Sequence, residues 1–449
     1  MADGDTSEPG SDPAWADRLA AQFRARVGRA AEFVIRAPGR VNLLGEHTDY
    51  NGLPVLPMAI DRCIRLAGAR RFDGRVVARN TARAFSARTF ALASPIPPGA
   101  AGDWGNYLKA AAQGLFDASQ DLPRGADLLI DGDIPTGAGL SSSAALVVAT
   151  GLALLTANDL TVPWPALAEL FARAERYVGT MSGGMDQAVS LLAEPGHALR
   201  IDFFPLRTRP VALPPGHAIV VCDSLVSAHK AGGARDAYNL RVAECALACA
   251  TLAAALGTPL QRLGDLATLF PDRPLLSVFE RFAAALPDAS VTLADVALLA
   301  RTPVSALRTA CHLAPGVGDC FRLRRRARHV LSEADRVSAA EAALAAGDAH
   351  AFGRLMVASH VSCRDDYEVS CPALDTLTAL AADAGALGAR LTGAGFGGCT
   401  VNLVPAQELD RFLAAMDDRF YGPRLPPGQL AGRHRFVFTP QAGATVTRR

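Results

Sequence analysis

Lysine is nearly absent from these 449 residues, occurring only as Lys109 and Lys230, and arginine supplies almost all of the remaining basic charge. The skew, beside abundant alanine, reflects a compositional bias, and it marks the two lysines as candidates for positions where a compact ammonium matters. Net charge is lacking too: 45 basic residues stand against 44 acidic ones, so no field of one sign draws nucleic acid or an anionic membrane. The expected partner is a small molecule. The nine cysteines are odd in number and contain no C-x-x-C pair, which argues against a disulfide framework and a zinc ribbon and leaves them as small buried hydrophobes. No G-K-[ST] occurs, so there is no Walker loop. The first residues, MADGDTSEPGSDP, have neither the basic nor the apolar region of a signal peptide, and they read as a disordered tail (1–13) on a cytoplasmic protein. The longest apolar run, Ala144 to Ala157, is too short to span a bilayer and reads as a buried helix.

What is present is a globular composition, 50% hydrophobic and 20% charged, in a chain too long for one hydrophobic core. Two domains are expected, with a boundary near 215/216. Helical periodicity from Ala14 to Val27 leads to a short strand, Glu32 to Arg36, and then a turn signal, Ala37-Pro38-Gly39-Arg40. Strands are predicted at Val55 to Leu66, Arg75 to Ala78 and Leu128 to Asp131, with helices at Trp104 to Asp117, from Ser141, and at Met185 to Leu192. The second half adds strands near Ala218, Thr400 and Arg435, and helices from Asn239, Phe321, Ala351 and Ala373, which suggests a sheet with helices on one face. Mixed α and β halves follow. The stretch from Gly257 to Gly318 carries many prolines and no chemical motif.

Four constellations carry chemistry. In Pro38 to Gly52, the run Glu46-His47-Thr48-Asp49 sets donors and acceptors on one turn between apolar strands, the equipment for gripping several hydroxyls of a polyol. In Asp133 to Ala145, glycines followed by Ser141-Ser142-Ser143 at a helix start converge backbone amides and a helix dipole on an anion, and a triphosphate is the expected occupant. The serines are expected to cap that helix. Gly183-Gly184-Met185-Asp186-Gln187 puts a carboxylate at a helix start, where it can take a proton from a substrate hydroxyl. Leu391 to Cys399 holds four glycines in six positions before a strand, a sign of close backbone approach to another element or a ligand.

In this order and span, the four closely resemble the galactokinase branch of the small-molecule kinases that include homoserine, mevalonate and phosphomevalonate kinases. The resemblance runs from about Phe33 to Thr439, and G-R-V-N-L-x-G-E-H-T-D-Y-N-G belongs to galactokinase-like proteins rather than to the wider superfamily. It implies an α+β fold of two domains, 14–215 with a left-handed β-α-β crossover and 216–449 ferredoxin-like, with the active site in the cleft between them. Asp186 would be the catalytic base, and Arg40 would stabilise charge on the transferring phosphoryl group. Glu46, His47, Asp49, Gly183 and Tyr238 would hold the sugar. Gly137, Ala138, Gly139, Leu140, Ser141, Ser142 and Ser143 would cradle the ATP phosphates, Ser143 and Glu175 would position Mg²⁺, and Trp104 and Lys230 would lie near the nucleotide. The run Glu175 to Gly184 is similar to that of plant and fungal galactokinases and N-acetylgalactosamine kinases, so both sugars are open. Tyr238 and Ser143-Ala144-Ala145 favour galactose. Relatives that act as galactose sensors in transcription have lost residues just after the serine run, which is intact here. The expectation is a cytoplasmic, monomeric enzyme with no nucleic-acid or membrane partner.

Overall fold

The computed structural model describes residues 14–227, 233–313, 320–426, 428–429 and 431–449. The predicted tail and Lys230 lie outside the described residues. The first sheet is built from β1 (Phe33–Leu44), β2 (Leu56–Arg71), β3 (Arg75–Asn80), β4 (Arg88–Ala91) and β5 (Gly125–Gly132). Its edge beside β1 is completed by the C-terminal strand Thr445–Arg448, which pairs Thr447 with Val34. Thus the end of the chain returns to the sheet of the first half. β3 and β5 are parallel neighbours, joined by a crossover that contains the helix Gly105–Asp117, whereas the other pairs are antiparallel.

β1 differs from expectation at one informative place. The predicted turn at Ala37 to Arg40 is instead continuous strand, with a register shift between Pro38 and Arg40. A bulge there re-aims Arg40 without ending the ladder. α1 (Trp15–Val27) packs outside the sheet, and α2 (Gly105–Asp117) lies against α3 (Ser142–Ala157). α3 is buried throughout from Ala144 to Ala157, as its uninterrupted apolar run predicts. α4 (Trp164–Ala174), a turn of 3₁₀ helix (Glu175–Val178) and α5 (Met185–Leu192) complete this half, followed by a hairpin of β6 (His197–Asp202) and β7 (Arg207–Ala212).

The second sheet has β8 (His217–Asp223), β9 (Gly388–Thr392), β10 (Cys399–Pro405) and β11 (Arg435–Phe438), all antiparallel, in the spatial order β11-β8-β10-β9. Helices follow β8 and β10, which is the ferredoxin-like βαββαβ arrangement expected. Its strands alternate faces: Val220 and Cys222 meet the helices at Pro372–Asp383 and Leu409–Met416, while Ile219 and Val221 face the core of the first half. Between β8 and β9 run α6 (Ala234–Leu256), α7 (Asp265–Leu269), α8 (Leu275–Phe282), α9 (Leu293–Leu299), α10 (Val304–Ala310), α11 (Leu323–Ala345), α12 (Ala349–Asp365) and α13 (Pro372–Asp383). Among its described residues the proline-rich stretch therefore forms four short α-helices, which share an apolar core with α6 and α11. α6 is long and apolar enough to cross a membrane by length and composition, yet it packs on α11, and its Glu244 pairs with Arg326 at 2.7 Å.

Candidate active site

The bulge in β1, the start of α3, the start of α5, the N-terminal part of α6 and the turn before β10 converge on one cleft. At its floor Arg40 Nε donates to Asp186 Oδ1 at 2.7 Å, and Arg40 Nη1 donates to the Gly139 carbonyl at 2.5 Å. One guanidinium thus ties the predicted base to the predicted phosphate loop. Asp186 lies in the first turn of α5, where the helix dipole favours a carboxylate. Its second oxygen accepts from the Ser141 hydroxyl. Here the sequence expectation fails in part: Ser141 makes no side-chain cap on α3, and its backbone lies at φ 61°.

The glycine-rich segments meet backbone to backbone. A Cβ on Gly393 would sit 2.8 Å from the Gly139 carbonyl oxygen, and one on Gly398 would sit 3.1 Å from that of Ala138. Gly393 also has φ 84°, so the position excludes side chains twice over. Two of the four glycines before β10, Gly393 and Gly398, thus let this turn lie directly on the predicted phosphate loop, while Gly395 and Gly397 face the backbone carbonyls of Val369 and Val226. Gly183 serves the same end elsewhere, since a Cβ there would meet the Tyr50 nitrogen at 2.2 Å.

The turn predicted to grip a sugar is held from behind. Glu46 Oε2 accepts from Arg390 Nη2 at 2.8 Å and from the Gly393 amide at 3.1 Å, and Arg390 Nη1 donates to the Asn42 carbonyl at 3.0 Å. Burial pushes the Glu46 carboxyl up while Arg390 pulls it down. Glu333 of α11 accepts from the Gly45 and Glu46 amides at 2.9 and 3.2 Å and from the Ser359 hydroxyl at 2.6 Å. Burial opposes its charge, but Arg336 and Arg390 hold the carboxyl below its ordinary value. Burial pushes the His47 imidazole down to about 3, so the ring is neutral. Its Nε2 lies 3.2 Å from the Ala394 carbonyl, which only accepts, so Nε2 carries the hydrogen and Nδ1 accepts from the Tyr50 hydroxyl at 3.1 Å. Tyr367 then donates to Tyr50 at 2.6 Å, and the Cys245 thiol to Tyr367 at 3.2 Å. His47 is therefore already committed on both nitrogens.

Asp49 is buried, accepts from the Met185 amide at 3.3 Å, and is raised to about 6 by burial with the Asp186 charge adding. Glu175 is raised to about 7 by burial and then by Asp186, and its hydrogen bond comes from the Ser182 hydroxyl at 3.0 Å rather than from a cation. The Tyr238 phenol is pushed up by burial and by the facing carboxylates of Asp49, Asp186, Glu175 and Glu46. Arg40, Glu46, His47, Asp49, Glu175, Asp186, Tyr238 and most of Gly137 to Ser143 line the cleft, together with Tyr107, Arg235 and the turn at 393–396. A second cavity opens beside it and shares Tyr107, Thr180, Ala234 and Arg235. Trp104 lines neither: its indole nitrogen donates to the Ser86 carbonyl at 3.1 Å, beside Phe85. Sequence reasoning missed Arg390 and Glu333, because a buried arginine and a helical glutamate carry no local signature. The turn at 393–396 belongs to the glycine-rich run Leu391 to Cys399, which its glycines alone mark in the sequence.

Models of known families match along the chain: the galactokinase galactose-binding signature at residues 21–70, the GHMP kinases N terminal domain at 106–194 and the GHMP kinases C terminal region at 340–422. A galactokinase of Chloroflexus aurantiacus is 42% identical over 420 residues, covering 91% of this chain and 94% of its own. The galactokinase of Bos taurus is 38% identical, covering 89% and 91%. The crystal structure of Lactococcus lactis galactokinase complexed with galactose aligns at a TM-score of 0.77 and 30% identity, over 96% of this chain and 99% of that one. A mevalonate kinase, at 18% identity and a TM-score of 0.54, shares the fold. With its site assembled from the bulge of β1, the serine-led α3 and the carboxylate of α5, this chain belongs to the galactokinase family of the GHMP kinases.

Proposed function

We propose that this chain transfers the γ-phosphoryl group of ATP to the C1 hydroxyl of galactose, giving galactose 1-phosphate and ADP. The observation that carries the reading is the meeting of Asp186, Arg40 and the start of α3 at the floor of one cleft. Asp186 takes the proton of the C1 hydroxyl. The freed oxygen bonds to the γ-phosphorus as the bond from that phosphorus to the β–γ bridging oxygen breaks, and the electron pair leaves with ADP. Arg40, which only donates, offsets charge on the phosphoryl oxygens.

Glu46, Asp49, Gly183 and Tyr238 shape the sugar site. His47 contributes by joining its own turn to the Ala394 turn, since both of its ring nitrogens are engaged. The loop Gly137 to Ser143 cradles the phosphates with its backbone amides at the α3 terminus. The second cavity takes the base and ribose; its walls include Asp103 and Asn106, which adjoin Trp104. Among the described residues no three His, Cys, Asp or Glu are grouped to hold a metal ion. Ser143 and Glu175 nevertheless offer the hard oxygens that Mg²⁺ favours when phosphates and water complete its shell. The buried Glu175, without a cationic hydrogen-bond partner among the described residues, fits that role. When bound there, Mg²⁺ would neutralise charge on the phosphate oxygens. The enzyme acts as a monomer in the cytoplasm, with no nucleic-acid or membrane partner.

The test is ADP release by the purified chain with ATP and Mg²⁺, in parallel on galactose, N-acetylgalactosamine, glucose and no sugar. Turnover on galactose is expected, and a dominant acetamido-sugar signal would move the assignment to that sugar. Asp186→Asn is expected to lose about 10²- to 10⁴-fold in kcat. Near-normal turnover in that variant would remove Asp186 as the base.

A further inference from the structure

We infer that Ser141 is a positioning residue for Asp186, directing the sugar's proton to Oδ2 rather than Oδ1. The inference rests on the reading of Asp186 as the base. Three observations meet at this serine. It stands at the cap position of α3, where a serine hydroxyl ordinarily accepts from the helix amides, yet it makes no such bond. Its backbone is left-handed at φ 61°, a conformation that a residue with a Cβ disfavours. Its hydroxyl donates to Asp186 Oδ2. A side chain turned from its local partner, on a backbone held in a disfavoured region, points to a task in the cleft.

The two Asp186 oxygens are held by groups of different capacity. Oδ1 faces Arg40 Nε at 2.7 Å. A guanidinium only donates and stays protonated, so a proton arriving on Oδ1 would cost that bond. A serine hydroxyl donates or accepts. When the C1 hydroxyl gives its proton to Oδ2, the Ser141 O–H can rotate away and present its oxygen to the new O–H. In this step one O–H bond of the sugar breaks and one O–H bond of Asp186 forms. Ser141 therefore fixes the carboxylate plane before transfer and tolerates the proton afterwards. The competing role is that of an ordinary phosphate ligand within the loop, which would be felt in the binding of ATP.

Ser141→Gly separates these. Glycine relaxes φ and removes only the hydroxymethyl group, so this variant is expected to melt at or above the wild-type temperature. Ser141→Ala keeps the Cβ and serves as the second variant. Both are expected to lower kcat about ten- to a hundredfold, the range for losing a hydrogen bond to a charged group, with KM for galactose and for ATP held within about twofold. Unchanged kcat would overturn the proposal, as would a rise in KM for ATP at constant kcat, the signature of a phosphate ligand. Asp186→Asn is assayed alongside. If it retains turnover, the base reading itself falls; if it is inactive while Ser141→Gly is fully active, only the role of Ser141 falls.

Discussion

Arg390 Nη2 lies 2.8 Å from Glu46 Oε2, and both side chains are almost wholly enclosed, so a strand of the second sheet grips the sugar turn of the first through one buried ion pair. Removing one partner leaves the other charge unpaired, which costs about 3–5 kcal/mol. Arg390→Met is therefore expected to lower the melting temperature sharply and to raise KM for galactose more than KM for ATP. Arg390→Lys should not rescue it, because Nη1 and Nη2 serve different acceptors. Thermal melts and substrate titrations of the two variants check this; a Lys variant with wild-type values would show that charge alone matters.

The contact between Gly139 and Gly393 makes a second prediction. Alanine at 393 must hold φ near 84° and place its Cβ 2.8 Å from the Gly139 carbonyl oxygen. Strained backbone of this kind costs about 1–3 kcal/mol, and relief requires the phosphate loop to move. Gly393→Ala should weaken nucleotide binding, measured by calorimetry, well before it unfolds the protein. Wild-type ATP affinity in a folded variant would refute the coupling of the two loops.

Asp49 gives stability a pH dependence of definite sign. Its carboxyl is raised from 3.8 to about 6 in the folded chain, by burial first and then by the Asp186 charge. Between these values the folded state binds the proton that the unfolded state has lost, so this group's contribution is complete below about 4, declines as pH rises, and is gone above about 6. In Asp49→Asn that decline is absent. The variant's melting temperature relative to wild type is therefore expected to climb from pH 4 to 6 and then level off; a difference that falls over that window would contradict the burial argument.

Glu333 lies behind the cleft rather than in its lining. Its carboxylate accepts from two successive amides of the sugar turn and from Ser359, while Arg336 supports it at 2.6 Å. Glu333→Gln has one acceptor oxygen instead of two and no charge, and a lost hydrogen bond to a charged group costs about 1.5–3 kcal/mol. We expect KM for galactose to rise about tenfold or more while the nucleotide affinity stays near wild type. Equal losses for both substrates would mean that Glu333 supports the fold in general rather than the turn.

The sequence alone marked the groups proposed to do the chemistry, because those groups come with local backbone requirements. Glu46 to Asp49 between apolar strands, glycines before a serine run, and Asp186 behind two glycines are legible as turns and helix starts. The buried helix predicted from Ser141 and the strands predicted at Val55 to Leu66 and near Ala218 were legible from apolar runs. Tertiary structure decided what periodicity cannot encode. The predicted turn at Ala37 to Arg40 became a bulged strand because β2 continues the ladder past Arg36, pairing Ala37, Pro38 and Arg40. Ser141 reads as a cap in the sequence and instead donates to Asp186, because packing of α5 against α3 brings a carboxylate within reach. Arg390 and Glu333 were silent in the sequence. A buried ion pair is defined by a partner hundreds of residues away, and only the folded chain brings that partner within 3 Å. The C-terminal strand beside β1 is of the same kind, since strand pairing across the full length of a chain leaves no mark on either segment.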